Sequence, residues 1–548
     1  MLVNGTAPAR SLASLDRWNW LDDDERQELA DSCGMISLEL IAEIHTERPG
    51  YLRILSSESA GNAAAALQRP AFAHKLIEVP NRSLRERLWV TGFSLTGRKG
   101  IVKSVDAKDG AIHSINDRTS RSILWPNEVA EVPNNPDALL IADGFLVPGK
   151  DRGGIYVVSK PGSPQYEWNV CLTKSTSQER WFDHKAAWID LTGDGRLSVL
   201  AARCQLAPKI GSSNNGVTSG IVKHGELVWL ECPKAPRVDP RTGSLLEEDG
   251  TLFDPFSSRH VPWKLRTLTK GPDVMMSIAD LDPTDDTIEV ISSQFFGEKV
   301  SVHSVQRGPQ PKVVNERIID DQCGSAFGCV LANLDHERAS KSGRVVMDSG
   351  STIQEQYTET SFSHVLVTSH ECSYTENESR SQVMDDSATG SSVHIDGGSL
   401  FAYQVPNGKD AWKTQPWPRT VIASGFKVQG QLKNMINPGA PGFVYTFYAN
   451  KQDALSANPK ARPLIAVAGD CAESAYIFRP ESDSDPTRYK LMVEVQCEST
   501  VGSLAVGYDD FTDVDQEHGF AKLYIPCYEK DRILVFALGS GEDEDDGW

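Results

Sequence analysis

Two short stretches set a histidine beside a carboxylate at the end of an apolar run. One is Asp183-His184-Lys185, ahead of Ala-Ala-Trp188-Ile189; the other is His370-Glu371, after Val365-Leu-Val-Thr-Ser369. Neutral imidazole is the side chain whose unperturbed pKa suits taking up and returning a proton near pH 7. A dehydration or an isomerisation needs such an acid/base pair. These five residues, Asp183, His184, Lys185, His370 and Glu371, are the catalytic candidates; ordinary hairpin polarity is the alternative reading. Gln294-Phe295-Phe296, with Glu298 behind it, offers an amide, two rings and a carboxylate. It could wall an apolar substrate or simply be packing at the rim of a sheet. Arg203, Asp470 and Glu473 stand at comparable strand ends and complete the substrate-binding set, with solvated charge as the alternative. Asp190-Leu-Thr192-Gly-Asp194-Gly195 spaces oxygens as a calcium loop does. Thr192 and Ser198 weaken it, and an Asx-type turn explains it equally well. If a structural cation binds, Asp190 and Asp194 would hold it; no metal is expected in the chemistry. The chain has no HExxH, Walker loop, GxSxG, or GxGxxG after a strand, so metalloprotease, phosphoryl-transfer, esterase and nicotinamide chemistry are unsupported and no cofactor is expected.

The elements that must carry these residues are strands. Beyond about residue 36, short Val/Ile/Leu/Tyr runs alternate with Gly, Pro, Asp and Ser clusters. One unit recurs: apolar strand, acidic turn, second strand, loop, third strand. Its clearest copy runs from His184 through the Asp190–Gly195 turn to Ser198–Arg203, with Glu226–Glu231 as third strand. Further copies begin at Val274 and Gly328, and weaker ones lie around Leu139, Val421 with Leu464, and Gly502. With a poorly defined unit between about residues 85 and 135, the number of units is near seven. Units of this kind need neighbours to bury their faces, and radial repetition closes them into a ring. The expected fold is therefore all-β, a seven-bladed β-propeller with six blades as the alternative; a pair of β-sandwiches is the rival. In a hairpin blade, the start of the first strand and the loop between the second and third strands share one face of the disc. That near face would gather residues 183–185, Arg203, 294–298, 370–371, 470–473 and 528–530, while the acidic turns fall on the far face.

Composition narrows the partners. The 548 residues carry 55 Lys+Arg against 75 Asp+Glu, a formal charge of −20. Nucleic-acid phosphates and anionic membrane surfaces call for the opposite sign, so a small-molecule substrate is expected, with no nucleic acid and no membrane. The oligomeric state stays open. Residues 1–45 read as a helical or extended segment packed on the ring, with Ser14-Leu-Asp16 ahead of an acidic run from Asp22 to Glu25; residues 46–540 read as the propeller, and 541–548 as an acidic disordered tail. The first residues show no basic start followed by an apolar stretch, which points to the cytoplasm. None of the ten cysteines has CxxC spacing, so reduced thiols buried in strands are expected. Ser/Thr/Glu-rich insertions near 343–361 and 373–397 read as surface excursions.

The acidic-turn repeat around residues 190, 280, 335 and 508 resembles that of the FG-GAP/VCBS propellers. The stretch Trp181-Phe-Asp-His-Lys-Ala-Ala-Trp-Ile-Asp-Leu-Thr-Gly-Asp-Gly-Arg196, with Ser293-Gln-Phe-Phe-Gly297 and Val367-Thr-Ser-His-Glu371, resembles a subgroup of fungal propeller proteins. That subgroup includes the hetero-Diels–Alderases of tropolone–sesquiterpenoid pathways and the propeller part of aldos-2-ulose dehydratase. The resemblance covers most of residues 85–540. It implies a cofactor-independent enzyme of secondary metabolism that dehydrates a hydroxymethyl tropolone to an o-quinone methide and adds it to an olefinic terpene. Its second implication is a sugar dehydratase or isomerase acting on an aldosulose. A non-catalytic binding propeller is the third reading.

Overall fold

The computed structural model describes residues 36–55, 87–94, 99–106, 112–132, 135–144, 153–173, 181–213, 216–339, 344–347, 362–371, 398–408, 410–429, 439–454, 456, 459, 461–508 and 520–540. Seven antiparallel sheets of four or five strands follow one another along the chain. Blade one takes Tyr51–Leu55, Arg87–Ser94, Lys99–Asp106 and Ile112–Ser114; blade two takes Pro126–Val132, Asn135–Asp143, Gly154–Ser159 and Trp168–Cys171. Blade three takes Trp181–Ile189, Ser198–Ser213, Gly216–Glu231 and Lys264–Lys270, and blade four takes Met275–Asp280, Thr287–Gln294, Lys299–Gln306 and Lys312–Asp320. Blade five takes Ala326–Ala332, His364–Ser369, Gly398–Gln404 and Arg419–Phe426; blade six takes Val444–Phe447, Leu464–Ala468, Ser474–Pro480 and Tyr489–Gln496. Blade seven takes Ala505–Gly507, Lys522–Cys527 and Arg532–Ser540, and its outer strand is Ile36–His45. The fold is the seven-bladed propeller that the repeats predict. Its described helices are single turns or little more, such as Asp117–Ser122. No helix among the described residues is long and apolar enough to cross a membrane.

The cores lie in the seams between blades, because each middle strand buries both of its faces. Val199, Leu200, Ala201 and Ala202 are all fully buried. Val199 and Ala201 turn toward blade two, and Leu200 and Ala202 toward blade four. This is why the strands read as continuous apolar runs and not as an alternation.

Four details differ from the sequence reading. The ring starts at Ile36, ahead of the expected 46: Ile36–His45 pairs with Arg532–Ser540, so both ends of the described chain share one blade. The helical segment expected near residue 20 and the acidic tail lie outside the described residues, as does the 373–397 insertion. Within the 343–361 insertion, Arg344–Met347 pairs with Ile278–Asp280 on the inner edge of blade four, so that part is no surface excursion. Strands two and three of blade three continue far beyond Arg203 and Glu226, pairing as far as Ser213 with Gly216. Finally, Val421 and Leu464 belong to different blades, the outer strand of five and the second strand of six.

Candidate functional site

The near face divides into two regions. The first lies in the seam of blades two and three and holds Asp183, His184 and Lys185. All three are buried. The strand bulges here, with the register shifting between Asp183 and Lys185, and the extra residue turns the backbone so that the His184 carbonyl accepts a hydrogen bond from Asn127 Nδ2 at 2.8 Å. Gly144 of blade two abuts the bulge; a Cβ there would lie 1.9 Å from the Asp183 carbonyl oxygen. Lys185 Nζ is ion-paired with Glu128 of blade two, the side chains being 2% and 4% exposed. Farther out on blade three, Arg203 donates from Nε to Glu226 Oε1 at 2.8 Å and lies over Trp181 with its guanidinium carbon 4.0 Å from the ring centroid. Two charges of this region thus hold structure together, Lys185 across to blade two and Arg203 to the next strand of blade three.

The second region spans blades four to six. Asp273, at the head of blade four's first strand, is buried, and its carboxylate accepts the Phe295 and Phe296 amides at 2.7 and 2.8 Å. Burial pushes this carboxyl up to about 7 despite those bonds. It fixes the loop that presents the two phenyl rings. Phe295 meets Phe296 edge-on at 5.2 Å and Phe327 at 6.1 Å between centroids, and Phe327 meets Phe443 at 5.0 Å. Such edge-to-face contacts are favoured by the ring quadrupoles. His370, at the end of blade five's second strand, joins this cluster. Its ring stacks on Phe327 at 5.2 Å and 25° and tilts against Phe295 at 5.5 Å. Its Nδ1 is 3.1 Å from the Pro441 carbonyl oxygen. A carbonyl only accepts, so Nδ1 carries the proton, which leaves Nε2 as the basic nitrogen of the neutral ring. Gly439 lies at that edge: a Cβ there would be 2.2 Å from both Nε2 and Cδ2.

Asp470 Oδ2 lies 3.8 Å from His370 Nδ1, with the two side chains 21% and 5% exposed respectively. Asp470 therefore is the member of the pair that reaches solvent. It occupies the loop between strands two and three of blade six in a left-handed conformation, φ 50°, clamped by paired backbone bonds to Val501. Burial, aided by the charge of Glu529, pushes its carboxyl up to about 7. Glu298 and Glu473 stand at equivalent left-handed loop positions, φ 51° and 56°, a conformation that costs a non-glycine residue roughly 1 kcal/mol. Burial and the Glu298 charge raise the Glu371 carboxyl; burial and the charges of Glu529 and Glu498 raise that of Glu473. Ser369 Oγ donates to Glu371 Oε1 at 3.3 Å, so Glu371 does not orient the imidazole through the contacts described.

The structure thus brings Phe295, Phe296, His370 and Asp470 together, with Glu298, Glu371 and Glu473 in the same stretch of near-face loops. It seats Asp183, His184, Lys185 and Arg203 in the other region. Gln294 is fully buried under the 295–298 loop, donating to Ser301 Oγ at 2.6 Å, and does not face outward. Sequence reading missed Asp273, Phe327, Phe443 and the Pro441 carbonyl. The first three follow from its own rule, since all stand at the head of a first strand; the carbonyl leaves no trace in residue type. On the far face, Asp190 Oδ1 accepts the Thr192 and Gly193 amides at 3.1 and 2.8 Å, and Oδ2 accepts that of Gly195 at 2.7 Å. That is the geometry of an Asx turn. Asp194 bonds Thr192 and Arg196.

No protein-family model and no curated protein matches the chain. Among solved structures it is similar to the polysaccharide lyase Uly1, with 9% identity over 91% of this chain and 99% of that one and a TM-score of 0.33. It is similar to a mutant puromycin hydrolase complexed with PGG, with 8% identity over 85% of this chain and 60% of that one and a TM-score of 0.29. It is also similar to the acylaminoacyl peptidase of Pyrococcus horikoshii, with 10% identity over 80% and 55% and a TM-score of 0.24. Such values carry no argument about chemistry. The FG-GAP/VCBS and fungal-subgroup resemblance therefore rests on the quoted motifs alone.

Proposed function

We propose that the chain is a cofactor-independent enzyme that eliminates water from a small unsaturated substrate on the near face of blades four to six. Asp470 is its solvent-reaching acid/base and His370 the partner behind it. The observation that carries this reading is the His370–Asp470 pair itself. A carboxyl pushed up to about 7 stands 3.8 Å from an imidazole whose tautomer is fixed by a backbone carbonyl. An acid/base group poised near the working pH serves both halves of an elimination. Within this reading, the substrate suggested by the sequence resemblance is a hydroxymethyl tropolone. The enol proton passes to the carboxylate, the hydroxymethyl oxygen gains a proton, its C–O bond breaks and water leaves. The o-quinone methide then adds across an olefinic terpene with no net redox change. Phe295, Phe296, Phe327 and Phe443 would hold flat, apolar partners in one orientation, where proximity supplies the rate.

A second reading, dehydration of an aldosulose, is favoured by the carboxylates Glu298, Glu371 and Glu473, which could accept hydrogen bonds from a polyol. The test is to incubate the full chain separately with hydroxymethyl tropolone plus an olefinic sesquiterpene and with an aldosulose, following products by mass spectrometry. The first reading expects a single adduct stereoisomer formed faster than the uncatalysed background. Background rate and stereochemistry with the tropolone, together with turnover of the sugar, would replace it with the second. Background rates with both would remove the reading.

A further inference from the structure

The hairpin of blade three outgrows its own sheet. The first strand of that blade pairs with the second only as far as Gln205, and the outer strand pairs with the third only from Glu226. Beyond those points the two middle strands pair with each other alone among the described residues, through eight further pairs from Leu206 with Lys223 to Ser213 with Gly216. At about 3.3 Å per residue, this arm extends roughly 25 Å from the near face. A two-stranded ribbon is marginally stable in water unless one of its faces is covered. The base of the arm adjoins the site. Gly271 N donates to the Gly225 carbonyl at 2.9 Å, and a Cβ at Gly225 would lie 2.7 Å from that of Asp273, the residue that holds the Phe295–Phe296 loop. The ladder has no register shift, so the parity set inside the disc carries into the arm. Leu200, Ala202, Leu227 and Trp229 belong to the row turned to blade four. Leu206, Pro208, Ile210, Val217 and Ile221 continue that row, while Lys209, Thr218 and Val222 stand in the opposite one. From Leu206 to Gly225 the chain carries two lysines, one histidine and no carboxylate, whereas the near face of blades four to six carries Glu298, Glu371 and Glu473.

We propose that this arm is the roof of the near-face site, its apolar row lying over Phe295 and Phe296 with the hydrocarbon part of a substrate between them. On the reading that places the site in blades four to six, the roof names one substrate class: a partner molecule that is itself a hydrocarbon. Phenyl rings below and aliphatic residues above would take water from both of its faces, which is how an apolar ligand is bound and held in one orientation. The positive arm and the carboxylates of the rim are complementary, and opposite charge favours closure onto this face. A second copy of the chain could cover the same row. Three observations favour the arm's own near face: the base beside Asp273, the parity toward blade four and the carboxylates of that rim.

The first test needs no substrate. The folded full chain is treated with a zero-length carbodiimide, which joins a lysine to a carboxylate in contact with it, and the linked peptides are mapped by mass spectrometry. Lys530 and Glu498, 3.3 Å apart, are the internal control. The expected result is a link within one chain from Lys223 to Glu298 or Glu371. Arm links found only between two chains, or the control link with no arm link, would overturn the roof. The second test sets Ile221→Asp beside its neighbour Val222→Asp, both checked for an unchanged denaturation midpoint. On the substrates that the wild-type chain consumes, Ile221→Asp should raise KM for the hydrocarbon partner about 10-fold and Val222→Asp less than about 2-fold. Equal effects would overturn the assignment of the row, and turnover of the aldosulose alone would overturn the hydrocarbon partner. If the wild-type chain consumes neither substrate, the chemistry proposed above falls and the cross-link still decides the roof.

Discussion

The two near-face regions use similar residue types, a histidine with carboxylates, at different places in a blade, and their surroundings differ. In the seam of blades two and three, Lys185 meets Glu128 and the His184 carbonyl meets Asn127. The charge there is neutralised by a neighbouring blade. In blades four to six the imidazole meets aromatic rings and a backbone carbonyl, and its carboxylate partner is held by its backbone at a loop tip that reaches solvent. What a histidine beside a carboxylate in sequence can do therefore depends on the neighbours that the fold gives it. In a propeller those neighbours come from the next blade, which the local sequence does not name.

Four variants can break or sharpen this contrast. The largest effect is expected from Lys185→Ala, which leaves the Glu128 carboxylate buried without its cation. It should lower stability by about 3–5 kcal/mol, measured by urea denaturation, while the fraction that remains folded keeps its turnover. If turnover fell and stability did not, the seam would be more than glue. Gly439→Ala should act on the other region. The new methyl would displace the His370 ring, and we expect turnover to fall roughly 10- to 100-fold, as when a positioning contact moves a reacting group, with little change in the denaturation midpoint. Phe296→Ala removes part of a wall and no proton carrier; it should raise KM by roughly 5- to 20-fold and leave kcat nearly unchanged. The smallest effect concerns pH. The Asp470 carboxyl is raised to about 7 in the folded chain from an ordinary value of 3.8. The folded state therefore binds the proton more tightly, so this group's contribution to stability is full below about pH 4 and is lost as pH rises toward 7. Asp470→Asn should then be more stable than wild type at pH 8 by about 1 kcal/mol, discounted for partial exposure, with the gap narrowing as pH falls and closing near pH 4. A constant gap across that range would show that the carboxyl is not perturbed.

Much of the fold was legible because blade strands are buried on both sides and hairpin turns are acidic. Val274–Asp282 and Gly328–Asp335 announce themselves in this way. The closing strand was not legible: Ile36–His45 completes blade seven by pairing with residues almost five hundred positions away, and no local pattern encodes that register. The site was half legible. His370 and Phe295-Phe296 follow from the face rule, and Asp470 appeared as a binding group. Its partnership with His370 depends on how the blade-six loop and the Gly439–Pro441 segment meet, which is a tertiary fact. Gln294 was misjudged because a strand's last residue can point into the seam as readily as out of it.

The central claim is that proton transfer belongs to the blade four-to-six region and not to the blade two–three seam. Its most direct test is turnover of Asp470→Asn and His184→Ala side by side, both shown to be folded, on whichever of the two substrate classes the wild-type chain consumes. We expect a loss of roughly 10²–10⁴-fold for Asp470→Asn, the range for a missing acid/base group, and a change of less than about 3-fold for His184→Ala, which keeps the backbone carbonyl that accepts from Asn127. Near-normal turnover in Asp470→Asn together with a large loss in His184→Ala would contradict it.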